Sequence, residues 1–156
     1  AKNICDQTVF AVRGVAKLPK VYRILFLDQP GSDLGQLATA IGRKNFPDTA
    51  EFSCATPGAA QGASEALLAF LQETGLPDEE LESEQLEALE HDFSDYIVLI
   101  SLNGAVSEYV DKVPFHTSAL NWPLPEGEDR AGQYRQLRSQ IIDLVTLLAG
   151  SETTQA

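Results

Sequence analysis

Apolar residues recur along this chain with two different periods, and the switches between them mark out its elements. From Val21 the run Val-Tyr-Arg-Ile-Leu-Phe-Leu is β-branched and aromatic, with an unbroken apolar second half, and it stops at the turn formers Asp28-Gln-Pro-Gly-Ser. Such a run predicts a strand buried on both faces. Leu34, Leu37, Ala38 and Ile41 then stand at helical spacing, and Asp33 three residues before Gln36 predicts a capping pair at the helix start. Ala50 to Cys54 reads as a second strand, and Ala66, Leu67, Phe70 and Leu71 form one face of a helix over 63–73, stopped by Gly75 and Pro77. Leu81, Leu86 and Leu89 give a thin apolar stripe that predicts a polar helix over 82–90. Tyr96 to Leu102 is the clearest central strand. A short helix near 105–110, a last strand near 115–120, a Pro-rich loop and a closing helix over about 130–148 complete the pattern. Upstream, Ile4, Cys5, Thr8, Val9 and Val12 share a helical face, and Gly14 and Pro19 end it.

Four strands separated by helices predict an α/β fold of three layers around a doubly wound, four-stranded parallel sheet. Ligands of such sheets bind beyond the carboxyl ends of the strands, which directs attention to the loop after the first strand.

Charge narrows what that loop could hold. The 156 residues carry 11 Lys and Arg against 23 Asp and Glu, a net charge of -12 that argues against nucleic acid or anionic membrane as a partner. No Lys or Arg falls between Lys44 and Lys112, while 15 of the acids do, nine of them from Asp78 to Asp95. That acidic run lacks the ligand spacing of an EF-hand and reads as a solvated face. Two cysteines, Cys5 and Cys54, are too few for a disulfide scaffold, and with no signal peptide or membrane-spanning run the expected setting is the cytoplasm. His91 and His116 lie 25 residues apart without a partner pattern, so neither a metal nor a cofactor is expected.

The stretch Ile24-Leu-Phe-Leu-Asp-Gln-Pro-Gly-Ser-Asp-Leu-Gly-Gln-Leu-Ala-Thr-Ala40 resembles, without a gap, the phosphate loop and following helix of the low-molecular-weight protein tyrosine phosphatases and the arsenate reductases of the same fold. Phe52-Ser-Cys-Ala, Ala66 to Leu76, Asp95-Tyr-Ile-Val-Leu-Ile, Asn121-Trp-Pro-Leu-Pro-Glu-Gly and Tyr134-Arg-Gln-Leu-Arg-Ser-Gln-Ile resemble later family segments in order. The resemblance implies a phosphotyrosine protein phosphatase I-like domain over 21–150, with residues 151–156 as a disordered tail. Residues 1–14 resemble the end of the last helix of PhoU-type phosphate-uptake regulators, which implies the tail of a preceding domain joined by a linker at 15–20. The chain would then be a piece of a longer protein.

The departures from the family pattern fall on its chemistry. The resemblance implies a Cys nucleophile where Asp28 stands, an Arg where Leu34 stands, and a Ser where Gly35 stands. It implies a general acid at Glu126, with Gly127 in place of the following Pro. The loop Asp28, Gln29, Pro30, Gly31, Ser32, Asp33 and Leu34 is thus read as a degenerate phosphate loop. At about 5 Å and an effective dielectric near 20, each carboxylate would repel a phosphate dianion by several kcal/mol, and a helix dipole returns only about 0.3–1 kcal/mol. Phosphate binding is not expected, and Asp28 and Asp33 are expected to fill the loop's anion nest themselves. The resulting expectation is a chain that is not an enzyme, regulatory or bound to a protein partner or adjacent domain, with a role in phosphate-uptake regulation implied by the PhoU-like stub. The alternative is a metal-assisted phosphatase with Asp28 as nucleophile and Glu126 as acid.

Overall fold

The computed structural model describes residues 21–58, 60–89, 92–124 and 129–155, the last five without their side chains. The expectations for residues 1–20, for His91 and for Glu126 and Gly127 lie outside the described residues.

The chain forms a five-stranded parallel sheet in the order β3-β2-β1-β4-β5. β1 (Tyr22–Leu27) is central, flanked by β2 (Ala50–Thr56) and β4 (Val98–Ser101), with β3 (Glu84–Gln85) and β5 (Ser118–Asn121) at the edges. The helices are α1 (Leu34–Asn45), α2 (Glu65–Thr74) and α3 (Arg130–Gln155). α3 continues five residues past Gly150, where the sequence reading ended the domain.

Alternation along the strands divides the core in two. Ile24 and Phe26 point to one side and pack with Leu37 and Ile41 of α1, Leu67 and Leu71 of α2, and Leu137 and Ile141 of α3. Leu25 and Leu27 point to the other, where Leu86, Leu89, Phe93 and Val106 meet them from short 3-10 helices at Leu86–Leu89, Phe93–Asp95 and Val106–Glu108. Among the described residues every α-helix therefore feeds one face, and the third layer is built from single turns.

The α/β, three-layer parallel architecture is as expected, with one strand more than the four read from the sequence. The addition comes from the acidic segment predicted as a helix over 82–90. There Glu84 and Gln85 pair with Ala55 and Thr56 of β2, followed by one 3-10 turn. With no Lys or Arg in the segment itself to offset repulsion between successive turns, it is a poor helix, and pairing with the edge of β2 satisfies its backbone instead. Leu81, Leu86 and Leu89 are buried all the same.

Candidate functional site

The loop 28–33 joins the carboxyl end of β1 to the first turn of α1, at the edge where parallel sheets bind ligands. Its turn is set by Gly31, whose φ of 89° a side chain would strain. The Asp28 side chain is folded back under the loop and 1% exposed. Its Oδ1 accepts from the Gln29 N–H at 2.9 Å and from Asn103 Nδ2 at 2.6 Å, and its Oδ2 from the Gly35 N–H at 2.9 Å. Gly35 is required by space: a Cβ there would stand 3.0 Å from Cβ of Cys54 and 3.3 Å from that of Asp28.

Further groups of the loop are also engaged. Gln61 grips the loop from outside, accepting from the Gly31 N–H at 2.8 Å and donating its amide to the Ser32 carbonyl at 2.9 Å. The Ser32 N–H donates to the Gln29 carbonyl at 3.1 Å, and the Leu34 N–H to Ser32 Oγ at 3.3 Å. On the β4 side, Gln29 Nε2 donates to the Tyr109 hydroxyl at 2.9 Å, which donates to the Asn103 carbonyl at 2.5 Å.

Asp33 behaves differently. It holds the N-cap position of α1, yet its carboxylate makes no cap hydrogen bond, which corrects the expected capping pair with Gln36. Within the loop it meets only its own backbone N–H, so of the two carboxylates expected in the nest Asp28 is the one that fills it. Asp33 instead faces Arg130, whose Nη1 and Nη2 meet its two oxygens at 2.8 and 2.7 Å, while the Ser64 hydroxyl donates to Oδ2 at 2.9 Å. A bidentate guanidinium outweighs a single cap bond. Burial alone would raise the Asp33 carboxyl, but hydrogen bonds from Arg130 and Ser64 and the nearby positive charge hold it below the usual aspartate range.

Leu34 is half-buried, with its side chain against the apolar core rather than over the loop. Cys54 lies beneath the loop, where burial pushes its thiol up to about 12, far from a reactive thiolate. Among the described residues no group of three His, Cys, Asp and Glu side chains is placed to hold a metal ion, and no helix is long and apolar enough to cross a membrane.

Sequence reasoning missed Gln61, Ser64, Asn103, Tyr109 and Arg130. Asn103 could have been found, since it follows the strand beside β1 and loops at the carboxyl ends of adjacent strands meet. Arg130 is recruited from 97 residues away, and nothing local points to it.

No protein-family model and no curated protein matches this sequence. Solved structures do match. An arsenate reductase in its oxidized state superposes with a TM-score of 0.65 at 18% identity, over 81% of this chain and 98% of that one. The tyrosine phosphatase Wzb from Escherichia coli K30, in complex with sulphate, gives 0.61 at 14% identity over 83% and 99%. A thioredoxin-dependent arsenate reductase from Corynebacterium glutamicum gives 0.58 at 19% identity over 87% and 64%. The likeness at these identities is one of fold, the phosphatase and arsenate reductase fold expected above. It also corrects the expectation that the chain is not an enzyme. The structures that share its fold are enzymes, and the absence of Cys from position 28 and Arg from position 34 excludes only chemistry that needs those two groups there.

Proposed function

We propose that the domain carries the phosphate loop of this fold in a degenerate, carboxylate-filled form, and that it serves a regulatory or protein-interaction role. One observation carries the reading. Between residues 29 and 35, five backbone N–H groups already have acceptors within the chain, namely those of Gln29, Gly31, Ser32, Leu34 and Gly35, and Pro30 has none to offer. These are five of the six N–H groups that an oxyanion in the loop could use, the sixth being that of Asp33, which lies against its own carboxylate. Asp28, at the position of the family's nucleophile, takes two of them, and no cationic side chain stands at position 34.

The chain's acidity favours a protein surface or a neighbouring domain as partner over nucleic acid or membrane. The link to phosphate-uptake regulation rests on residues 1–14, outside the described residues.

Titrating the protein with phosphate, sulfate and arsenate while following backbone amides by NMR tests the reading. The amides of residues 29–35 are expected to stay in place at millimolar anion, and saturable shifts there overturn it. Turnover of p-nitrophenyl phosphate with and without Mg2+ is the companion assay, and turnover abolished by Asp28→Asn replaces this reading with a hydrolase that uses Asp28.

A further inference from the structure

Among the described residues, the starts of the three α-helices meet at one carboxylate. Asp33 immediately precedes α1, Ser64 is the N-cap of α2, and Arg130 opens α3. The side chain of Asp33 is 19% exposed and that of Arg130 27%, so the pair sits just under the surface, beside the loop and within reach of a solute. Asp33 gives up its own cap bond to α1 in order to face Arg130, and it draws on the Ser64 hydroxyl, which also accepts from the Leu67 N–H at 3.1 Å. Among the described residues, this is the ion pair that loop 28–33 makes.

We infer that the Asp33–Arg130 pair is an autoinhibitory contact: the Asp33 carboxylate withholds Arg130 and Ser64 from external oxyanions of the phosphate or sulfate class. The inference rests on the carboxylate-filled loop proposed above and adds a second, separable carboxylate to it. Asp28 closes the loop's interior, while Asp33 occupies the cationic group at its rim. An intramolecular carboxylate competes at an effective concentration on the order of millimolar or more, so a dilute oxyanion loses to it. Asp33 also repels a dianion directly. Removing it takes away both the competitor and the repulsion and leaves a guanidinium and a hydroxyl beside three helix N-termini, each favourable to negative charge.

The probes are inorganic phosphate and sulfate, titrated against the wild-type chain, Asp33→Ser and the double variant Asp33→Ser/Arg130→Gln. Signals of the Arg130 guanidinium and the Ser64 and Leu67 amides report binding. Serine can still cap α1, and Asp33→Asn provides a second, near-isosteric variant should the serine chain fold poorly. The expected result is binding tightened roughly tenfold or more in the single variants, by the strength of charge-assisted hydrogen bonds, and lost again in the double variant. Single variants that bind no more tightly than wild type overturn the inference, as does a double variant that retains the gain. Neither outcome touches the reading of the loop, which fails only if amides 29–35 of the wild-type chain respond to phosphate.

Discussion

Asp28 and Asp33 bracket one short loop, and the molecule treats them in opposite ways. Asp28 is buried and held wholly by neutral donors, one from loop backbone, one from the first turn of α1 and one from Asn103. Asp33 is only partly covered and is held by a guanidinium and a hydroxyl from two other helices. The first is a local device that shapes the turn, because an Asp at a strand end can fold back onto the amides that follow it. The second is a tertiary device that ties loop, α2 and α3 together. Two identical side chains five positions apart thus report on two kinds of organisation, and removing each should have a different signature.

The largest effect is expected from Asp28→Ala. It leaves three donors under the loop without an acceptor, one of them the buried Gly35 N–H, at a cost of about 3 kcal/mol measurable by urea denaturation. Asp28→Asn keeps the shape and should cost less, since its carbonyl oxygen can still accept from Gly35. Gly35→Ala attacks the same spot from the helix side. A methyl 3.0 Å from Cβ of Cys54 and 3.3 Å from that of Asp28 should destabilise by about 2 kcal/mol and broaden the loop amides in NMR spectra.

Arg130→Gln should cost less, about 1 kcal/mol, because the pair lies near solvent. Its distinguishing mark is pH. The folded-state pKa of Asp33 is depressed, so its contribution to stability is fully present above the ordinary aspartate value and is lost as pH falls through the folded value. Acid denaturation below about pH 4 should therefore be steeper in the wild type than in Arg130→Gln. Equal slopes would mean that Arg130 is not what holds the Asp33 carboxyl low. The smallest effect, about 0.5–1 kcal/mol, is expected for Tyr109→Phe, which removes the hydroxyl between Gln29 and Asn103. A comparable loss on top of Asp28→Ala would show that the two act independently, whereas a reduced loss would place Tyr109 in the same network as Asp28.

Much of the architecture was legible because it depends on local periodicity. The apolar run from Tyr22 to Leu27 alternates so that Ile24 and Phe26 serve one core and Leu25 and Leu27 the other, which a doubly covered strand requires. The edge of the sheet was less legible. Glu84 and Gln85 carry no strand signal of their own and become β3 only because β2 presents backbone to pair with. The position of loop 28–33 was also readable, since the turn formers after β1 could only lie at the carboxyl edge of a parallel sheet. The expectation that the chain is not an enzyme failed for a related reason. It was drawn from two missing side chains, and side chains at two positions do not determine what a fold shared with arsenate reductases and a tyrosine phosphatase can do.

By itself the sequence determined the α/β class, the loop between Leu27 and Leu34, and the presence of two carboxylates there without an Arg at position 34. Those are properties of neighbouring residues, and hydrophobic periodicity and turn chemistry act over a few positions. Only the tertiary structure decided which carboxylate turns inward and which finds a cation. That choice depends on Asn103, Ser64 and Arg130, which the topology brings to the loop from 75, 31 and 97 residues away. A guanidinium at hydrogen-bond distance outweighs a local cap, and nothing in the spacing along the chain records that the two would meet.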